Sequence, residues 1–403
     1  MMLIVSACNS VNNKGNDLLS DEYHAETDWQ FFQTTAWGRY PKVQEDEGGC
    51  YFYHDHYVYR YDCSSGTIVP LCSKVNCLHD HESDAQKKME CNAYTDHLLG
   101  EGGELLLTLM LFKDNVYLCY QRDDSTPDFR LPFSIFRFAR DGSSKEEIYR
   151  HSSIDLPVLH RGYLYFYCKE YTVEYDGKIK SDGKLLRINI EEKNIREELL
   201  VNVKEDTGLD MIRAYGNYVY FQWTQEEREF NSPRFVYDIR TGKIQETDFT
   251  YEQFTSYQGN IYEIPFESVL EDMFKPGSVY ETDHLGRNPV PKITDTVIGS
   301  YLVSDEKYLY INNGYEHLLN PEKPCLFQVY DHQLQYIDSF TVPDVVGQNY
   351  QLDPPIGGKK YQYLVFDDEE TGEWGLYIWD KSEIGTLHGK AYTQKKVVYE
   401  DRK

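Results

Sequence analysis

The chain has 403 residues, a net charge of −26 and a pI near 4.8. So acidic a surface repels phosphate backbones and anionic headgroups, which excludes nucleic acid as a partner. The 36 tyrosines and 19 phenylalanines favour strands and fill sheet-on-sheet interfaces. Outside the N-terminal segment there is no run of about 20 apolar residues, so no membrane-spanning helix is expected.

At the N-terminus, Leu3-Ile4-Val5-Ser6-Ala7-Cys8 ends an apolar run in small residues and a cysteine. That order looks like a bacterial lipobox, in which Cys8 would be lipidated and become the mature N-terminus. Asn9 to Asp21 is polar and lacks strand pattern, as a tether would be. Residues 1–27 read as a truncated lipoprotein signal with its polar tether, and residues 28–403 as a single domain. The expected address is extracytoplasmic, lipid-anchored at a bacterial cell membrane, with membrane contact only through the anchor.

The domain is built on a repeated phrase, a polar turn feeding an aromatic, β-branched strand. Its copies are Asp55-His56-Tyr57-Val58-Tyr59, Asp114-Asn115-Val116-Tyr117, Arg161-Gly162-Tyr163-Leu164-Tyr165 and Gly216-Asn217-Tyr218-Val219-Tyr220. Gly259-Asn260-Ile261-Tyr262, Glu306-Lys307-Tyr308-Leu309-Tyr310 and the looser Gly358-Lys359-Lys360-Tyr361-Gln362-Tyr363 follow. Seven copies at intervals of roughly 40 to 60 residues indicate a propeller.

In chain order, Gln30 to Trp37 reads as the first strand of the first blade and Pro41 to Gly49 as an acidic loop. Cys50-Tyr51-Phe52-Tyr53 and Tyr57 to Asp62 form a hairpin, and Thr67 to Leu71 a fourth strand. Leu105 to Phe112, Val116 to Tyr120, Ser134 to Phe138 and Glu146 to Tyr149 make the second blade. The third runs from about Asp155 to Val201. Later blades are marked by Tyr218 to Trp223 and Phe235 to Ile239, Ile261 to Ile264 and Ser278 to Thr282, and Tyr308 to Ile311 and Leu326 to Tyr330. The seventh has Tyr361 to Phe366, Leu376 to Trp379 and Lys396 to Tyr399. Strands such as Tyr163-Leu164-Tyr165-Phe166-Tyr167 are apolar on both faces, as a blade stacked between two others requires. The expected fold is therefore an all-β, seven-bladed β-propeller of four-stranded blades. Ring closure conceals sheet edges, and a monomer is expected. Glu267 to Phe274 reads as a short helix inserted in the fifth blade.

The third strand often ends in an aromatic residue and an aspartate: Tyr61-Asp62, Tyr237-Asp238, Tyr330-Asp331 and Trp379-Asp380. An aspartate there can bond the backbone of the following turn. The His54-x-His56 pair reads as a polar hairpin tip.

Between the first two blades lies a Cys/His-rich insert, residues 72–97, holding Cys72, Cys77, His79 and Cys91. Three thiolates and one imidazole suit a tetrahedral structural zinc; a disulfide among the cysteines is the alternative. His81 and Glu82 are substitute ligands. The segment has too little apolar content to order itself without a crosslink. Cys50, Cys63, Cys119, Cys168 and Cys325 sit in or beside strands, where small buried thiols are common.

The lipobox, the Pro70-Leu71-Cys72 segment, the Cys/His insert and the blade phrases together resemble a group of β-propeller lipoproteins of anaerobic Gram-positive bacteria. The blades are similar to the domain of unknown function 5050 and to receptor-type propellers. The group has no established activity, so the resemblance implies fold and location only.

No G-x-S-x-G elbow, P-loop, G-x-G-x-x-G or H-E-x-x-H motif is present. Glu370-Thr371-Gly372-Glu373-Trp374 only echoes the end of a sialidase-type box. No catalytic residue stands out. The expected function is a non-enzymatic binding or scaffolding module for a glycan, peptide or protein, held at the funnel of the propeller. The alternative is a polysaccharide hydrolase or lyase using two funnel carboxylates.

Overall fold

The computed structural model describes residues 43–96, 107–121, 133–173, 179–203, 207–225, 233–249, 254–265, 277–294, 296, 301–313, 320, 322–341, 356–358, 360–368 and 371–400. Seven four-stranded antiparallel sheets stand in a ring, each built from one contiguous piece of chain.

Blade 1 is β1 (Val43–Asp46), β2 (Gly49–His54), β3 (Tyr57–Asp62) and β4 (Thr67–Pro70); blade 2 is β5 (Leu107–Phe112), β6 (Asn115–Gln121), β7 (Phe133–Ala139) and β8 (Lys145–His151). Blade 3 is β9 (Asp155–His160), β10 (Tyr163–Val173), β11 (Ile179–Asn189) and β12 (Glu197–Val203); blade 4 is β13 (Thr207–Tyr215), β14 (Tyr218–Gln225), β15 (Arg234–Asp238) and β16 (Lys243–Glu246). Blade 5 is β17 (Phe254–Tyr257), β18 (Asn260–Glu263), β19 (Val279–Thr282) and β20 (Val290–Ile293); blade 6 is β21 (Tyr301–Ser304), β22 (Leu309–Asn312), β23 (Leu326–Tyr330) and β24 (Tyr336–Thr341). Blade 7 is β25 (Ile356–Gly357), β26 (Tyr361–Asp368), β27 (Glu373–Asp380) and β28 (Gln394–Val398). Consecutive strands are antiparallel, so each turn from second to third strand leaves on the same face of the ring as the connection into the next blade.

The apolar runs explain the stacking. Cys50, Tyr51, Phe52 and Tyr53 are all buried along β2, as are Val116 to Tyr120 along β6. Both faces of these strands are therefore covered. The side chains group into clusters that fill the seams between neighbours. One cluster joins Tyr51 and Tyr59 of blade 1 to Leu107 and Phe138 of blade 2 and Tyr363 of blade 7. Another holds Tyr310 and Phe340 of blade 6 against Trp379 of blade 7. Each fully buried aromatic contributes about 1.5–3 kcal/mol of transfer free energy, which is the main cohesion between blades.

Polar bonds align the same seams. Arg161 Nη1 donates to Asn217 Oδ1 at 2.7 Å between blades 3 and 4, and Arg213 Nη1 to the Phe254 carbonyl at 2.7 Å between blades 4 and 5. The Tyr257 hydroxyl donates to the Lys307 carbonyl at 2.7 Å between blades 5 and 6. The Tyr361 amide donates to Glu45 Oε1 at 3.1 Å, joining blade 7 to blade 1.

One sequence expectation changes. The acidic stretch expected to be a loop contains β1, whose residues pair from Val43↔Phe52 to Asp46↔Gly49. An inner strand is held by its backbone ladder, and only Val43 needed to be apolar; the charged residues hid the strand. The first copy of the repeated phrase stands where the sequence reading put it, in the hairpin between the second and third strands. Six copies sit between the first and second strands of their blades, but Asp55-His56-Tyr57 lies between β2 and β3. Asp55 (φ 36°) and His56 (φ 67°) close that hairpin as a two-residue turn with both φ positive, the same chemistry serving a different turn. The strand expected at Gln30 to Trp37 and the helix expected at Glu267 to Phe274 lie outside the described residues, as does Cys8.

The aspartates behave as expected. Asp62 Oδ1 accepts the amides of Ser64 at 2.8 Å and Ser65 at 2.9 Å, and Asp238 Oδ1 that of Arg240 at 2.8 Å. Asp331 Oδ1 takes Gln333 N–H at 2.8 Å, and Asp380 Oδ1 takes Ser382 N–H at 2.8 Å. These carboxylates are turn-forming groups.

Candidate functional site: a cysteine–histidine cluster beside an aromatic cleft

The insert leaves β4 and crosses toward blade 2. Its backbone is tied down first. The Ser73 amide donates to the Gly142 carbonyl at 3.1 Å, and Asn92 Nδ2 donates to the same carbonyl at 2.8 Å. Gly142 (φ 73°) must be glycine here: a Cβ would stand 2.8 Å from the Cys72 nitrogen. Val58 N–H donates to the Ala93 carbonyl at 2.9 Å, returning the end of the insert to blade 1. Between these anchors, Asp84 caps the short helix α1 (Ala85–Glu90), accepting the amides of Gln86 at 2.9 Å and Lys87 at 3.2 Å.

This path gathers Cys72, Cys77, His79 and Cys91, whose ligand atoms lie within 4.8 Å of one another. His79 Nδ1 is 3.6 Å from Cys91 Sγ. The edges of a zinc tetrahedron with three sulfurs and one nitrogen are roughly 3.5–3.8 Å long, so the donor set and its spacing fit such an ion. The surroundings favour ligating forms in part. Burial works against ionisation of Cys72, but amides of Lys74 and Asn92 directed at its sulfur outweigh it and hold the thiol below its usual range. Burial pushes the Cys91 thiol up, against the thiolate form. Burial also lowers His79, favouring the neutral imidazole. No disulfide links the three cysteines, nor any other cysteine among the described residues. Cys50, Cys119, Cys168 and Cys325 are buried and Cys63 half-buried, as expected of strand thiols.

The substitute ligands stand elsewhere. Glu82 Oε1 accepts the Asp84 amide at 3.0 Å, and His81 Nε2 lies 3.7 Å from Asp80 Oδ1. His54 and His56 do not converge. The His54 ring stacks on Trp374 with centroids 4.1 Å apart, while the His56 amide donates to the Tyr53 hydroxyl at 2.8 Å.

Next to the cluster is a cleft of about 390 Å³. It opens where blade 7 meets blade 1, on the face that carries the β2–β3 turn. Its floor is aromatic: Trp374 stacks on Tyr399 at 4.4 Å, and Tyr59 tilts against Trp374 at 4.8 Å. Its acidic walls are Asp55, Asp80 and Glu373, and His54 and His81 complete the rim. Two walls belong to the insert. The Tyr57 hydroxyl donates to the His79 carbonyl at 3.0 Å and the Tyr59 hydroxyl to Asp80 Oδ2 at 3.1 Å, which seats the loop after His79 against the cleft. No residue of the inner strands β1 or β25 lines it, so this cleft is a seam site and not the funnel. Sequence reasoning missed it. Its signals were scattered over three places: a histidine thought to be a turn residue, an aspartate beside a metal ligand, and the tryptophan after Gly372.

No protein-family model and no curated protein matches the chain. Several solved structures align with it. An uncharacterised protein of Listeria monocytogenes aligns at 12% identity over 72% of this chain and 82% of that one, with a TM-score of 0.45. The β-propeller domain of the Trilobed protease from Pyrococcus furiosus aligns at 12% identity over 69% and 81%, with a TM-score of 0.42. Dipeptidyl peptidase 4 of Porphyromonas gingivalis aligns at 10% identity over 91% of this chain and 60% of that one, with a TM-score of 0.40.

Proposed function

We propose that this chain is a β-propeller binding module, held outside a bacterial membrane by a lipid on Cys8, that takes part of a peptide, protein or glycan partner. The observation that carries the reading is the seam cleft. It has the size of a ligand site, aromatic rings for contact area and a few polar groups for orientation. The Cys72-Cys77-His79-Cys91 site is a structural zinc centre in this reading. Four protein donors fill a tetrahedron and leave no open position for substrate or water. The metal would fix the loop that supplies Asp80 and His81.

Screening the purified chain against glycan and peptide arrays tests the reading. Saturable binding without any product is expected. Turnover of a polysaccharide, lost on replacing a single carboxylate, would overturn it in favour of a hydrolase or lyase.

A further inference from the structure

One lysine is buried among the described residues: Lys381, which follows the third strand of blade 7. Its Nζ meets Asp305 Oδ2, in the turn after β21 of blade 6, and the two side chains are 0% and 5% exposed. Other lysine–carboxylate pairs, such as Lys113–Glu191, Lys292–Glu281 and Lys396–Glu373, stand about a third or more open to water. Water solvates those charges and keeps the amines protonated, so such pairs persist as ions. In the dry seam that protection is gone. Holding both charges away from water is costly, and joining the groups as an amide removes both.

The neighbours are placed as such a reaction needs. The Gly358 carbonyl accepts a further bond from Nζ and fixes the amine. Asp305 Oδ1 accepts the amides of Lys307 at 2.7 Å and Tyr308 at 2.8 Å, two backbone donors arranged as an oxyanion hole is. The Tyr310 hydroxyl donates to Oδ2 at 2.5 Å, and Gln362 Nε2 donates to that hydroxyl at 3.3 Å. Groups held in such contact by a fold react as though at ~10⁵ M or more.

From this geometry we propose that Lys381 and Asp305 condense without an external catalyst, giving an amide cross-link between blades 7 and 6. Nζ passes one proton to Oδ2 along the existing bond, leaving an amine beside a carboxylic acid. The nitrogen lone pair attacks Cγ, and negative charge collects on Oδ1 between the two backbone amides. A second proton then moves from nitrogen to Oδ2, the Cγ–Oδ2 bond breaks and water leaves. The product keeps one N–H for the Gly358 carbonyl. One ammonium and one carboxylate become one amide and one water, so no co-reactant is consumed. The ion pair is the reactant, and the amide clamps the same seam covalently. The inference is independent of what the propeller binds.

Peptide mapping of the denatured full chain tests it, with intact mass on the same sample. The chain should be one water lighter than its sequence, and Lys381 should resist trypsin and appear in a branched peptide joined to Asp305. Lys381→Arg keeps a cation in the seam but offers a guanidinium that does not attack a carboxyl. It should hold its full mass and give linear peptides only, and so should Asp305→Ala. A parent chain of full mass with linear peptides overturns the proposal. So does a branch from Lys381 to any other carboxylate, including Glu45, which also feels its charge. Loss of the same water in Lys381→Arg overturns it as well.

Discussion

Glu263 closes the second strand of blade 5 with its side chain buried and its Oε2 accepting no hydrogen bond among the described residues. Burial raises its carboxyl from 4.5 to about 7, against the pull of the Arg234 guanidinium. The folded chain therefore holds this proton more tightly than the unfolded one. The protonated group favours folding below about 4.5, and that contribution is lost as pH rises through 7. Glu263→Gln removes the dependence. The parent's stability relative to the variant should fall by on the order of 3 kcal/mol between pH 4.5 and 8. Urea melts across that range check it, and a flat difference would contradict it. The turn aspartates present the opposite case. The Ser64 hydroxyl and the amides of Ser64 and Ser65 hold the Asp62 carboxyl down near 2. Their role was legible in the sequence because an aspartate and the turn it caps are neighbours along the chain. Glu263 was not, since nothing nearby in sequence announces that a charged strand residue faces inward.

The insert is the element whose chemistry the sequence displayed best. The spacing of Cys72, Cys77, His79 and Cys91 named the four residues that the structure gathers. What it could not show was the support: the shared Gly142 carbonyl, the return of Ala93 to blade 1, and the tyrosine hydroxyls that seat His79 and Asp80. If the cluster holds zinc, Cys77→Ser should lower the metal content and drop the melting temperature by several degrees, since metal binding and ordering of such a loop are one equilibrium. Elemental analysis with a thermal melt checks this. A mutant that melts like the parent and keeps its metal would remove the cluster's structural role. The element the sequence hid was β1. An inner strand of four residues, three of them polar or acidic, has no hydrophobic period to read.

At the scale of the molecule, the seam between blades 6 and 7 depends on a buried ion pair. Lys381 Nζ donates to Asp305 Oδ2 of blade 6 and to the Gly358 carbonyl of blade 7. The Tyr310 hydroxyl donates to the same aspartate oxygen at 2.5 Å. Lys381 is shielded from solvent, so removing its charge strands a buried carboxylate. Lys381→Met should cost about 3–5 kcal/mol, and Lys381→Met with Asp305→Asn should recover part of it. Chemical denaturation of the parent and the two variants checks this; equal stability of parent and single mutant would mean that the pair does not hold the seam. By itself the sequence determined the central strands of the blades, the sevenfold count, the two-faced burial and the donor set of the insert. Each of these is written in residues close together along the chain, where alternation, turn chemistry and spacing act. Only the tertiary structure decided which residues form the inner strand of the first blade, and the existence of the seam cleft. That cleft joins His54 and Asp80 to Trp374 and Tyr399 across roughly 300 residues, and only closure of the ring by packing brings them within contact.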